Sequence, residues 1–431
     1  MGTVWYACAN RRDKKNSVSP PPLTSGPHLR LFKITVLHPG FLWAAAVVAV
    51  SSEAENSPKE FADSNNAFAR DLYNAISVDF PGENIVISPF SVSTVMAMVY
   101  LMTKGKTAEE VARVMHFNPN QTVLARSFQE ALFTLDRHTF PFANSLFIDK
   151  AIRLNDEYVK MVEEHFGEAL QEVDFFSDSE GARKIVNEWA ESHTRSKITD
   201  FLPQGSFNPS TVMVAASVVH FKAFWENFFS RKTTNADFHL ADGSKKKVDV
   251  MSAEGNNFTW NVFSKLKATG VSLKFEGNQK MVLLIPDKSD GLPALEDALS
   301  KMNFVEEIVD QIKTTQYATF SMPTFNITFG QPISWPLIKL GLSCLFQSGC
   351  ADMTGASYDN RLALSGIGHK VFFEVNEKGA EAVTDTAGGV SSSTSMFRAQ
   401  SKQISANRPF LFAILRTNPD TVISIGRYAK P

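Results

Sequence analysis

Serine and histidine residues could together supply a nucleophile and a general base for hydrolysis. A G-x-S-x-G nucleophile elbow is absent, since Ser357 in GASYD and Ser365 in LSGIG lack the flanking glycines. The zinc motif H-E-x-x-H is absent as well, because Glu163-Glu164-His165 has the wrong order. Neither G-x-G-x-x-G nor G-x-x-x-x-G-K-S/T occurs. We therefore expect a protein that is not an enzyme and that needs no metal or other cofactor.

Segment 374–410 is unusual because it joins two apolar strands yet carries few core residues itself. Between residues 379 and 404 it is rich in Ala, Gly, Ser and Thr, a composition that also suits a disordered surface loop. Its first part alternates with a period of two. The small residues of one face are Ala380, Ala382, Thr384 and Thr386, and the other face carries Glu381, Val383 and Asp385. A segment with one face of small side chains could enter a sheet as an extra strand.

Hydrophobic periodicity predicts the elements that must hold this segment. Helices are expected from about Ser64, from Pro89, after Thr107, and over residues 155–166 and 179–195. Thr107 followed by Glu110 predicts a capping box for the third of them. Strands are expected at 211–221, 271–275, 280–285, 317–322, 370–375, 410–416 and 422–428. Since helices come first and strands dominate later, the pattern predicts an α+β fold with large, mostly antiparallel sheets.

Several motifs in this framework resemble one family. Residues 373–382, FEVNEKGAEA, are similar to the hinge of serpins, and 407–412, NRPFLF, are similar to the signature that follows the family's loop. Residues 84–89, NIVISP, with Ser91 resemble the shutter segment, and His369 resembles its partner histidine. FKAFW, which ends at Trp225, resembles the breach motif. The resemblance covers nearly all of residues 60–431, which we interpret as a single serpin domain.

The resemblance implies both a fold and a function. The fold has three β-sheets, eight or nine helices and an exposed reactive-centre loop, and here residues 377–408 would form the hinge and that loop. The implied function is that of a suicide substrate: a serine protease cleaves the loop, becomes a covalent acyl-enzyme, and is trapped when the freed loop inserts into the main sheet. The alternative is a non-inhibitory serpin that acts as a carrier or chaperone. The small residues of the hinge favour the inhibitor.

The residues carried over from the family fall into two groups. The hinge comprises Glu377, Gly379, Ala380, Glu381, Ala382 and Thr384, and the shutter and breach comprise Ser88, Ser91, His369 and Trp225. Two positions depart from the family pattern, since Ser217 stands where Asn is usual and Thr324 replaces a common Lys. We interpret both departures as changes to hydrogen bonding at the breach.

The scissile bond is predicted by counting along the loop. Counting forward from Glu377 gives Ser393-Thr394, whereas counting backward from Pro409 gives a window that ends at Arg398. We prefer the backward count, because the extra glycines and serines lengthen the N-terminal side of the loop. The candidates, in order, are Arg398 with Ala399 after the cut, then Phe397, then Met396. Arg398 suits a trypsin-like pocket and the other two suit a chymotrypsin-like pocket, although an ordinary solvated loop arginine remains the alternative for Arg398.

The N-terminal part differs in composition from the rest. Residues 1–28 are interpreted as an unstructured extension and 29–53 as a signal peptide region, because 41–50 form an apolar run of ten followed by small residues. Ten residues are too few for a membrane span, which needs about 20. The expected location is therefore extracellular, with no membrane contact. Asn-x-Thr sequons mark three glycosylation candidates, Asn120, Asn257 and Asn326.

Charge and cysteine content limit the partners. The net charge is -2, which argues against nucleic acid. Segment 118–140 offers only Arg126, Arg137 and His138, so we expect no strong glycosaminoglycan site. The expected partner is a secreted serine protease, and the chain is expected to be a monomer. Cys344 and Cys350 either form a local bridge or remain two thiols.

Overall fold

The fold is seen in a computed structural model that describes residues 57–135, 140–167, 169–221, 223–227, 229, 231–256, 258–377 and 402–431. The extension assigned to 1–28 and the signal region assigned to 29–53 lie outside these ranges. Residues 378–401, the greater part of the expected reactive-centre loop, also lie outside them.

Eight α-helices lie in the described residues, and most begin at a polar cap or a proline. They are α1 (Pro58–Ser77), α2 (Pro89–Met102), α3 (Gly105–Met115), α4 (Gln121–Thr134), α5 (Asp156–Phe166), α6 (Ser179–His193), α7 (Leu292–Leu299) and α8 (Ser334–Leu340). A π-helical turn (Phe304–Ile308) and two 3-10 turns (Val309–Gln311 and Cys344–Phe346) accompany them. Within the ranges given above, no helix combines the length and apolar character that crossing a bilayer demands.

The described residues also form fifteen strands. These are β1 (Ile85–Ile87), β2 (Phe142–Asp149), β3 (Leu170–Val173), β4 (Met213–Phe221), β5 (Arg231–His239), β6 (Lys245–Gly255), β7 (Thr259–Phe263), β8 (Ala268–Lys274), β9 (Gln279–Pro286), β10 (Ala318–Pro323), β11 (Phe325–Pro332), β12 (Gly366–Val375), β13 (Lys402–Ser405), β14 (Phe410–Arg416) and β15 (Thr421–Tyr428). All seven strands predicted from the sequence are present, with ends shifted by a few residues.

Three sheets are built from these strands, as the expected serpin-like α+β architecture requires. The five-stranded sheet has the order β11-β12-β4-β2-β3, the six-stranded sheet β1-β15-β14-β9-β8-β7, and the four-stranded sheet β13-β10-β6-β5. Most pairs are antiparallel, but β4 with β12, β2 with β3, and β10 with β13 are parallel. Helix α2 is buried along its whole length, because it packs between the five-stranded sheet and β15.

The capping box predicted at Thr107 is wrong. Helix α3 already begins at Gly105, and its N-cap, Lys104, makes no side-chain capping bond. The Thr107 hydroxyl instead accepts a hydrogen bond from the Asp352 N–H at 3.0 Å. The Thr107 hydroxyl, which the local pattern assigned to helix capping, therefore bonds to Asp352, a residue distant in the sequence.

Candidate functional site

The centre of the five-stranded sheet is the line along which β4 and β12 pair, which we call the seam. Its register runs from Gly366 opposite Val214 to Phe373 opposite Phe221. The chain leaves β12 toward Glu377, so Phe221 and Phe373 mark the hinge end of the seam. Val214 and Gly366 mark its far end. Any strand that enters this sheet between β4 and β12 must open the seam.

A chain of hydrogen bonds closes the seam near its middle, above the first turn of α2. The Ser88 N–H donates to His369 Nε2 at 2.9 Å, so the neutral imidazole carries its proton on Nδ1, which lies 3.0 Å from Ser217 Oγ. Ser217 Oγ then donates to Ser91 Oγ at 3.0 Å, and Ser91 Oγ donates to Asn144 Oδ1 at 2.9 Å. The donors and acceptors follow one direction through the chain. Strands β2, β4 and β12 and helix α2 are thereby tied together.

Burial keeps His369 uncharged. The residue is 1% exposed, and burial lowers the pKa of its imidazole from 6.5 to about 4. The Ser88 hydroxyl is also buried and donates to the Ile423 carbonyl at 2.8 Å, which connects the network to β15. The sequence-predicted shutter residues Ser88, Ser91 and His369 are thus brought together on both sides of the seam.

Ser217 belongs to this network, so the prediction that it alters the breach is wrong. It lies opposite Asn144 on one side and opposite His369 on the other. Asn144 Nδ2 is buried and has no hydrogen-bond partner in the described part of the chain. Sequence reasoning missed Asn144 altogether, although a polar residue in the strand FANSLF was a usable signal. Thr324 lies at the β10–β11 connection, where its N–H donates to the Asp249 carbonyl at 2.9 Å.

The hinge end of the seam is closed by aromatic side chains. Trp225, 1% exposed, donates from Nε1 to the Asn376 carbonyl at 2.8 Å and stacks on Phe275 at 4.3 Å between ring centroids. Phe221 and Phe373 stack at 4.9 Å across the two strands of the seam. Trp225, which the sequence places at the breach, therefore holds the chain immediately before the hinge.

Only the two ends of the reactive-centre loop lie within the described residues. Glu377 is the last described residue before it, and β13 follows it in the four-stranded sheet, parallel to β10. The other hinge residues (Gly379, Ala380, Glu381, Ala382 and Thr384) lie outside the described residues. The same holds for the scissile-bond candidates Met396, Phe397, Arg398 and Ala399. The loop thus connects two different sheets.

Two of the three glycosylation candidates can be located. Asn120 is exposed at the N-cap of α4, where its Oδ1 accepts from two backbone N–H groups, and Asn326 is exposed on β11. Asn257 lies outside the described residues. Within the described ranges, neither of the two candidate nucleophilic serines is paired with a base: Ser357 Oγ donates to the Arg153 carbonyl, and Ser365 Oγ accepts from the Val212 N–H.

Cys344 and Cys350 form a disulfide, with Cα atoms 5.2 Å apart, so the first of the two sequence alternatives is confirmed. The bridge closes a short loop, since the cysteines are six positions apart. By the chain-entropy relation, closing a loop of this length stabilises the folded state by about 2 kcal/mol.

Reduction of the bridge by dithiothreitol should therefore lower the free energy of unfolding in urea by that amount. A Cys344→Ser/Cys350→Ser variant should show the same loss and no response to the reductant; an equal response of both proteins would contradict this.

Protonation of His369 should make the fold sensitive to acid. Because the folded-state pKa of about 4 lies below the ordinary histidine value of 6.5, the unfolded chain binds the proton first as the pH falls. This stabilisation is complete above pH 6.5 and is lost progressively toward pH 4, by about 3 kcal/mol in total. Urea unfolding at pH 7 and pH 4 measures it. A His369→Gln variant should be less stable at pH 7 but should lose less on acidification, and an unchanged pH slope would refute the assignment.

Comparison with known proteins agrees with this geometry. A family model described as Serpin (serine protease inhibitor) matches residues 63–431. The leukocyte elastase inhibitor of Homo sapiens is 32% identical over 383 residues, which covers 86% of this chain and 100% of that protein. Serpin B10 of Sorex araneus is 29% identical over 397 residues, covering 86% and 99%. Serpin48, described as a highly specific serpin in the insect Tenebrio molitor, superposes with a TM-score of 0.77 at 25% identity and covers 86% of this chain and 98% of its own.

Proposed function

The chain belongs to the serpin family, and on that premise we propose that it is a secreted inhibitor of serine proteases that acts as a suicide substrate. The observation that carries the proposal is the seam: two parallel strands held by a small polar network, with the hinge leaving directly from one of them. The proposed role is that of an inhibitor that traps its protease covalently, and not that of an enzyme. The proposed inhibitor is a monomer that needs no glycosaminoglycan or other cofactor.

The proposed mechanism begins when a protease cleaves the loop and remains attached to the residue before the cut as an acyl-enzyme. The freed segment folds back at Glu377 and enters the seam antiparallel to both β12 and β4. One parallel ladder of eight residue pairs is then replaced by two antiparallel ladders. The added backbone hydrogen bonds and the burial of the small-residue face favour insertion. The tethered protease is carried along and cannot complete deacylation.

Insertion has a local cost at the polar network. Neighbouring strands in a sheet lie about 4.8 Å apart. A new strand between β4 and β12 would therefore increase their separation to roughly 9.6 Å. The 3.0 Å contact between Ser217 Oγ and His369 Nδ1 cannot survive that separation. The proposed opening of the seam therefore breaks the Ser217–His369 link of the network. The Ser217 hydroxyl sets this cost in place of the amide that is usual in the family.

Secretion is supported by two independent features. The apolar run at 41–50 has the layout of a signal peptide, although it lies outside the described residues. The Cys344–Cys350 disulfide is typical of proteins that mature in an oxidising compartment. We propose that the signal region is removed and that Asn120 and Asn326, both exposed, carry glycans in the secreted protein.

The proposal is tested by mixing the protein with trypsin and, separately, with chymotrypsin. We expect a trypsin complex that survives boiling in detergent, and a released C-terminal peptide that begins at Ala399. A peptide beginning at Phe397 or Arg398, released by chymotrypsin, would assign the cut to Met396 or Phe397 instead. Clean cleavage without a complex, for these enzymes and a wider panel of serine proteases, would refute inhibition and favour the carrier or chaperone alternative.

A further inference from the structure

A cavity of about 650 Å³ lies at the far end of the seam. Its walls come from the chain between α6 and β4, the end of β11, the start of α8 and the disulfide loop, and its floor is the start of β12. The volume falls within the range of small-molecule sites, about 300–1,000 Å³. The cavity shares His369 and Ser365 with elements already described, but no step of the proposed inhibition uses it as a binding site.

The lining of this cavity points to one kind of ligand. Three aromatic rings, Phe201, Phe207 and Phe346, supply an apolar surface, and hydroxyl and amide groups surround them. Arg361 is the one charged residue among the described residues that line it. Its Nε and Nη2 donate to the Asp359 carboxylate, which leaves Nη1 as the guanidinium nitrogen outside that ion pair, on a side chain that is 59% exposed. We propose that the cavity binds a small aromatic acid, with the rings against the phenylalanines and the acid group at Arg361.

The floor of the cavity is open because Gly366 has no side chain. A Cβ built at Gly366 would have Ser334 Oγ, at 3.8 Å, as its nearest neighbour, which is an ordinary contact. Two residues along, a Cβ at Gly368 would lie 2.7 Å from Phe201 Cζ, so that ring already covers the strand there. A ligand can thus lie on the backbone at Gly366, and a larger side chain at the same position would fill its space.

The position of the cavity gives the ligand an effect on the seam. The lining includes Thr211 and Val212 just before β4, Val214 within β4, and residues 366–369 at the start of β12. A molecule in contact with both strands would oppose their separation and slow loop insertion. This second consequence rests on the proposed function, whereas binding itself does not.

The test uses the intact protein and 8-anilinonaphthalene-1-sulfonate, an aromatic anion whose fluorescence rises in an apolar site. We expect saturable binding at one site, at least tenfold weaker binding to a Gly366→Leu variant, and near-normal binding to the matched Gly366→Ala control. Arg361→Gln should weaken binding severalfold. Hydrogen exchange at the start of β12 should slow when the probe is bound. Direct binding does not depend on inhibition, so failure here leaves the protease experiment unaffected.

The proposal is overturned by the absence of saturable binding, or by equal affinity for the native protein and a folded Gly366→Leu variant. If Gly366→Leu fails to fold, Ser348→Phe blocks the cavity from the exposed disulfide loop instead. Decanoate competition separates aromatic from aliphatic acids: weak competition supports the aromatic class, and displacement at lower concentration than an aromatic carboxylate contradicts it.

Discussion

On the proposed mechanism, replacing Thr384 by arginine is expected to turn a trypsin inhibitor into a trypsin substrate. Thr384 lies on the small-residue face with Ala380 and Ala382, and in the proposed inserted state this face packs against the buried side of the sheet. Burying an unpaired guanidinium there costs several kcal/mol. Each 1.4 kcal/mol added to the insertion barrier slows insertion about tenfold. The acyl-enzyme then hydrolyses first, so the yield of boiling-stable complex should fall by about a hundredfold, as measured on denaturing gels.

The matched control is Val383→Arg. Val383 is one residue away in the loop but lies on the opposite face, which stays in solvent after insertion. This variant should retain complex formation to within about twofold to threefold, since an exposed charge costs little. If Thr384→Arg and Val383→Arg lose the complex equally, the assigned face is wrong. If neither loses it, loop insertion is not the trapping step.

The second large effect is expected at Arg398. A trypsin-like pocket holds a buried carboxylate, and the arginine before the scissile bond forms a charge-assisted pair with it. Arg398→Ala removes this pair and leaves the protease carboxylate without a partner. The association rate with trypsin should fall at least about a hundredfold, in line with the several kcal/mol that such a buried pair contributes.

Arg398→Lys is the control, because lysine keeps the positive charge that pairs with the pocket carboxylate. This variant should retain most of the association rate with trypsin. The N-terminus of the released peptide gives an independent readout. Cleavage after Ser393 in the native protein, with a trypsin rate that Arg398→Ala leaves unchanged, would show that the forward count from Glu377 is correct. Arg398 would then be an ordinary solvated loop residue.

Strongly apolar elements were predictable because a continuous run of apolar residues predicts burial without knowledge of the tertiary structure. Helix α2 and strands β4, β14 and β15 are buried over their full length, so any arrangement of the chain must hide them. Helices α4, α7 and α8 were missed. They are amphipathic or short, and tertiary packing stabilises such helices more than their own sequence does. The capping box at Thr107 failed for a related reason, since Asp352 competes for the hydroxyl.

The sequence by itself determined the family, the order of helices and strands, and four of the residues around the seam, Ser88, Ser91, Trp225 and His369. Sequence motifs and hydrophobic periodicity are local features, so these predictions did not need the tertiary structure. Only the tertiary structure decided that Ser217 and Asn144 complete the polar network, that Cys344 and Cys350 are bonded, and that a cavity lies at the far end of the seam. The network joins residues up to 335 positions apart, and the cavity is bounded by segments that meet only after the sheets form. Local sequence cannot encode such contacts, because they depend on strand register and on which hydrogen-bond partners remain free once the chain has packed.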